Sequence, residues 1–133
     1  MPPEQPPPIA ELIGFRLVSA GGGESVFELH AGEQHANPMG TLHGGVLCDV
    51  ADAAMGTAYA TTLERGDTFT TLELKINFVR PFWTGQLVAT GRVVSGGRTV
   101  GVTECDILDE QGRLIARASS TCMTLRGDAA SGR

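Results

Sequence analysis

The sequence predicts an α+β fold in which an antiparallel sheet wraps around one long central helix. Three observations predict it. Residues 46–59 carry hardly a polar side chain, are rich in Ala, Val, Leu and Met, and hold only Asp49 and Asp52 as charges; that is the composition of a buried helix. After Thr68 the pattern changes to period two, with Leu72, Leu74, Ile76 and Phe78 on one face and Glu73, Lys75 and Asn77 on the other, as in a half-buried strand. Three further strand-like segments follow across short turn signals, and short turns require antiparallel neighbours. A helix apolar on nearly all sides must be covered on all sides, and a curled sheet covers it.

Taken in order, residues 1–8 hold five of the seven prolines and read as an extended, mobile tail. Residues 9–13 suit one short helical turn that packs on the body. Residues 15–20 have strand character, Gly21-Gly22-Gly23 is a turn signal, and 24–31 alternate Val26 and Glu28 against Phe27 and Leu29, so the two segments form a hairpin. Residues 32–42 are loop by composition. The long helix spans 44 to about 62, and Arg65-Gly66-Asp67 ends it with a turn. The period-two strand from Thr68 is stopped by Arg80-Pro81. Residues 86–94, 99–108 and 114–125 complete a four-strand meander with turns at Gly96-Gly97 and Asp109-Glu110-Gln111-Gly112. Residues 127–133 are small and polar and read as a flexible tail. The domain therefore spans 9–126, with no internal repeat.

One domain of 133 residues buries a core without staples. The net charge of -5, from 10 Lys+Arg against 15 Asp+Glu, and the lack of a basic stripe argue against a nucleic-acid partner. No apolar run is long enough to span a bilayer, and the N-terminus lacks a signal-peptide pattern. Three cysteines (Cys48, Cys105, Cys122) without C-x-x-C spacing fit a cytoplasmic protein with reduced thiols.

The chemistry gathers at residues 35–59. His35-Ala-Asn37-Pro-Met-Gly40-Thr-Leu-His43-Gly44-Gly45 leads directly into the long helix. A helix N-terminus presents unpaired N–H groups and the positive end of the dipole, and glycine there admits a ligand close to the backbone. One segment thus supplies an oxyanion site at its start and a carboxylate, Asp52, two turns inside. That pairing suits acyl transfer, in which negative charge develops on a carbonyl oxygen.

Asn37-x-x-Gly40-x-x-His43-Gly44-Gly45, with Asp52 seven residues after the second glycine, resembles the signature of hotdog-fold acyl-CoA thioesterases of the phenylacetate-degradation (PaaI-like) type. The strand 71–81 and the later Gly-Arg-Thr turn are similar to that family, and the likeness covers residues 15–125. The resemblance implies a hotdog fold and hydrolysis of an acyl-CoA to a carboxylate and free coenzyme A, without metal or cofactor. It implies Asp52 as nucleophile or general base, the Gly44 N–H as donor to the thioester carbonyl, and Asn37 as the side chain that orients water or substrate. Thr71 falls near a position where some members place a hydroxyl, contributed by the partner subunit, beside the carboxylate. Sites at the interface of a homodimer, often paired again into a tetramer, are implied as well.

Weighed on their own chemistry, these residues leave alternatives open. Asp52 reads as a partnered structural acid or as a catalytic one; its burial would raise the pKa and the helix N-terminus would lower it. Asp49 suits the helix dipole alone. His43 is a structural residue at the helix start or a proton carrier. His30, His35 and His43 lack the spacing of a metal site. Asn37-Pro38 also makes an ordinary turn, and Gly44-Gly45 a packing device. Arg80 and Arg98 suit coenzyme A phosphates through their donor forks or are solvated charge. Trp83 packs in the core or an interface, or lines the acyl pocket. Cys48 lacks an adjacent base for nucleophilic work. A non-catalytic acyl-CoA-binding module on the same fold is the alternative to an enzyme.

Overall fold

The computed structural model describes residues 5–132. The chain runs α1 (Pro8–Ile13), β1 (Phe15–Gly21), β2 (Glu24–Ala31), a 3-10 turn (Glu33–His35), α2 (Gly44–Ala60), β3 (Thr68–Phe78), β4 (Gly85–Gly96), β5 (Val100–Leu108), β6 (Leu114–Leu125) and a final 3-10 turn (Gly127–Ala130). The expected tail at 1–8 lies partly outside the described residues; within them, α1 already begins at Pro8, and the Pro7 carbonyl accepts from Ala10 N–H at 2.9 Å. Residues 127–130, expected to fray, close a 3-10 turn after Arg126, whose guanidinium pairs with Asp67 at 3.3 Å.

Six antiparallel strands form one sheet in the order β1-β2-β4-β5-β6-β3. The predicted four-strand meander is therefore corrected to three strands, β4-β5-β6, with β3 paired on the far side of β6. The reason lies in residues 79–84. Pro81 forbids a tight ladder turn there, and six residues reach about 20 Å, enough to cross three strand spacings of about 4.8 Å each. The crossing is pinned at both ends. Val79 and Arg80 N–H donate to the Ile115 carbonyl, and the Phe82 carbonyl accepts from Leu42 N–H at 2.8 Å.

A second correction concerns β3. Its register shifts between Thr71 and Glu73, and such a bulge breaks strict alternation. Leu74 and Ile76 pack against the core, whereas Leu72 and Phe78 are more than half exposed. Among the described residues the outer edge of β3 has no partner strand.

The core lies between α2 and the concave face of the sheet. Leu29, Met55, Leu87, Ile107 and Ile115 are its largest fully buried side chains. Along α2 the buried stripe is Leu47, Val50, Ala51, Ala54 and Ala58, joined by Met55. The helix approaches β4 most closely at Gly91, where a Cβ would fall on the Ala54 carbonyl. Ser25 Oγ donates to that carbonyl, so the carbonyl that crowds Gly91 is also bonded to β2. Tyr59 and Thr124 hydroxyls bond at 2.6 Å and anchor the far end of α2 to β6.

Candidate active site

The sheet does not cover α2 completely. Cys48, Asp49, Asp52, Ala53, Thr57 and Ala60 keep surface accessible, so one stripe of the helix stays open, contrary to the expectation of complete cover. A groove of about 900 Å³ lies over this stripe, with α1 and the start of β1 on one wall and Phe69 and Thr71 of β3 on another.

Asp52 lines this groove. Sequence reasoning expected it to be buried, yet in a single chain its side chain is exposed. Its carboxyl is nevertheless partly desolvated by the groove walls, and this is the main cause that holds its pKa above the usual carboxylate value. The Thr71 hydrogen bond pulls the other way, and the charge of Asp49 adds to the rise. Thr71 Oγ1 donates to Asp52 Oδ1 at 3.2 Å. The resemblance implied a hydroxyl from a partner subunit; Thr71 of the same chain already reaches the carboxylate, because β3 borders the groove and its bulge re-aims the residues around Thr71. Cys48 keeps its proton: burial first, then Asp49 and Asp52, push its thiol up, which disfavours the nucleophilic thiolate.

The segment before α2 is held by its own side chains. Asn37 Oδ1 accepts from the N–H groups of Met39 at 2.9 Å and Thr41 at 3.1 Å, and its Nδ2 donates to Thr41 Oγ1 at 2.7 Å, so Asn37 shapes the turn. Gly40, at φ 89°, closes it. His43 is the N-cap of α2, its Nδ1 accepting from Gly45 N–H at 2.8 Å. That leaves the Gly44 N–H without an acceptor among the described residues. The Phe78 ring lies over Gly44, so close that a Cβ there would sit 2.7 Å from Phe78 Cζ.

Within one chain, however, Gly44 and Asp52 stand eight residues apart on one helix, about 12 Å along its axis. A single carbonyl cannot touch both. The substrate-binding candidates separate too. Arg80 and Trp83 share a hollow of about 440 Å³ at one end of the sheet with Phe82, Gln86, Asp109 and Arg113. Trp83 is 58% exposed and belongs to neither the core nor the Asp52 groove. Arg98 sits beyond the opposite end of β4, a 12-residue strand about 40 Å long, and its carbonyl accepts from the Arg126 guanidinium. Arg80 and Arg98 of one chain do not meet one ligand. No set of three metal-ligating side chains gathers among the described residues.

Sequence reasoning missed the rest of the groove. Ala53, Gly56, Thr57 and Ala60 form its floor, and Ile9 and Ala10 of α1 part of a wall. The spacing of small residues at i, i+3, i+4 and i+7 after Ala53 was a readable signal for an open helix face; nothing local pointed to α1.

A sequence profile of the thioesterase superfamily matches residues 39–116, from the turn after Asn37 through α2 and into β6. The chain belongs to the thioesterase superfamily. It is a thioester hydrolase. Human acyl-coenzyme A thioesterase 13 is 34% identical over 79% of this chain and 76% of its own. The 1,4-dihydroxy-2-naphthoyl-CoA hydrolase of Listeria monocytogenes is 30% identical over 85% of this chain and 92% of its own. The structure of the E. coli PaaI protein from the phenylacetic acid degradation operon superposes with a TM-score of 0.83 at 27% identity, covering 90% of this chain and 85% of that one. The six-stranded sheet around one long helix is thus the hotdog fold of a PaaI-like thioesterase, as the motif implied.

Proposed function

We propose that this thioesterase hydrolyses acyl-CoA esters at a site shared by two copies of the chain, with the Gly44 N–H from one and Asp52 from the other. The observation that carries the reading is the 12 Å offset, about two turns of α2, between an N–H without an acceptor and a carboxylate in a groove. The exposed, unpartnered edge of β3 beside that groove supports a homodimer joined edge to edge; pairing of dimers is the further extension of the same reading. In the scheme, the thioester oxygen accepts from Gly44 N–H. Asp52, aligned by Thr71, takes a proton from water as the water oxygen bonds to the carbonyl carbon. The C–S bond then breaks, the proton returns to sulfur, and a carboxylic acid and free coenzyme A leave. Attack by Asp52 itself uses the same residues and is told apart by transfer of ¹⁸O from labelled water into Asp52 over one turnover. The scheme uses no cofactor. Asn37 holds the loop that aims Gly44, His43 and Gly45 keep the first turn capped, and Arg80 with Trp83, at the Gly44 end, receive the nucleotide of coenzyme A. Three free thiols support a cytoplasmic setting.

Two experiments test this. Gly44→Pro removes the N–H at a helix position that tolerates proline, after a His43 backbone that is already extended at φ -64°, ψ 131° and so compatible with a following proline. Made together with Phe78→Ala to clear the ring, it is expected to lower kcat about a hundredfold or more relative to Phe78→Ala alone. Mixing Gly44→Pro/Phe78→Ala chains with Asp52→Asn/Phe78→Ala chains after unfolding and refolding is expected to restore about a quarter of the activity of Phe78→Ala, because half the dimers are mixed and one of their two sites is intact. No restoration would overturn the site shared between two chains.

A further inference from the structure

The wall of the groove formed by α1 is held in an unusual way. The helix has six residues and no side-chain N-cap, too short to persist on its own. Only Ala10 in it is buried; Leu12 is 79% and Ile9 47% exposed. At its C-terminal end, Gly14 in the left-handed region (φ 98°) returns its N–H to Ala10 O at 2.7 Å. The last carbonyl of the helix, Ile13 O, accepts from His35 Nε2–H at 2.6 Å. The other ring nitrogen of His35, Nδ1, accepts from Gly32 N–H at 3.0 Å. These two partners assign the neutral Nε2–H tautomer. The backbone of His35 is equally committed: its carbonyl accepts from His43 N–H at 2.9 Å, the residue that caps α2 and precedes Gly44. His35 is itself 6% exposed. His35 therefore joins α1, through its buried imidazole, to the segment that starts α2, through its backbone carbonyl.

The other side of this arrangement is the groove. From Asp52 its floor continues over Ala53, Gly56 and Ala60, about 12 Å of helix, with Phe69 resting on Gly56. Ile9 and Ala10 look into the same space. We propose that α1 is the specificity wall for a medium-chain acyl group lying along α2 from Asp52 toward Ala60, and that His35 is the positioning residue that holds this wall. This rests on the thioesterase reading of the groove. An acetyl group is too short to follow that floor, whereas a decanoyl group spans it.

The test compares acetyl-CoA with decanoyl-CoA in His35→Phe, His35→Gln and Ile9→Ala. Truncating Ile9 removes apolar contact with the long chain only, and is expected to lower the decanoyl-to-acetyl ratio of kcat/KM about tenfold, with the loss in KM rather than kcat. His35→Phe, which keeps ring volume and loses both hydrogen bonds, is expected to show the same pattern to at least that extent. His35→Gln offers one donor and one acceptor and is expected to recover most of the ratio. Equal effects on both substrates, or none, would overturn the proposal. Should His35→Phe fail to fold, Ile9→Ala carries the wall and His35→Gln the clip. Decanoate binding by calorimetry separates the two levels of the argument. If the wild type turns over no thioester, the functional reading fails, yet weaker decanoate binding in Ile9→Ala and His35→Phe still upholds the wall and its clip; unchanged binding would reject them.

Discussion

Asp52→Asn is expected to lower kcat about a hundredfold to ten-thousandfold and, at the same time, to raise the melting temperature. The first effect follows if the carboxylate is the proton acceptor or nucleophile, since an amide is neither. The second follows from the raised pKa, whose largest cause is desolvation in the groove. An acid whose folded pKa lies above its unfolded value disfavours the folded state once it ionises. Below an unfolded value of about 3.9 both states are protonated and no penalty exists. The penalty grows as pH climbs from there to the folded pKa and is complete above it. The stabilisation by Asn is therefore expected in full near neutral pH and is expected to shrink as pH is lowered toward 4. Turnover by the wild type rises over the same interval, because the working form is ionised. Thermal melts of both proteins at several pH values, beside thiol release from an acyl-CoA panel, read both effects. Full activity in Asp52→Asn would remove Asp52 from the mechanism.

The largest expected loss of stability comes from Gly91→Ala. Gly91 pairs with Ser25 on β2 and Cys105 on β5, and its missing side chain is what lets α2 settle on the sheet. The atoms a methyl would strike, Ala54 C and O and Met55 N, are helix backbone, so no rotamer change relieves the clash. The helix must lift, and the packing of Leu47, Val50, Ala51 and Met55 loosens with it. Overpacking costs about 1–3 kcal/mol where side chains give way; here about 3 kcal/mol or more is expected, a large share of a typical total of 5–15 kcal/mol. Gly96→Ala is the control. Its Cβ would meet only Val93 Cγ1 at 3.8 Å, and a change within about 0.5 kcal/mol is expected. Urea denaturation of the two variants decides the matter, and equal midpoints would refute the close-approach account.

Local patterns made most of the fold legible. The apolar run at 46–59 and the glycine turns placed α2, the β1–β2 hairpin and β4-β5-β6, because those pairings are between neighbours in the chain. The position of β3 was not legible. Which edge a strand joins is decided by the span of residues 79–84 and by what Ile115 and Leu42 offer it, and no period within 68–78 encodes that. At the site, the glycines at the helix start and Asp52 pointed to acyl transfer, and Asn37 joined them through the family resemblance, but the separation of Gly44 from Asp52 did not emerge from a motif read as one segment. Helical arithmetic between Gly44 and Asp52 already contained it. Arg80 and Arg98 were grouped by charge alone, and only the course of β4 parts them. His35 entered only as a member of a histidine cluster, since its role depends on a carbonyl 22 residues away.

The sheet order also bears on how the chain is made. A ribosome delivers β3 well before β6, the strand it pairs with among the described residues, because β4 and β5 are made in between. Through that interval Phe69, Leu72, Leu74, Ile76 and Phe78 form a β-prone segment with both edges open, the kind of segment that recruits other chains. Glu73 and Lys75, set between them, act as gatekeepers, keeping the waiting strand dispersed until its partner arrives.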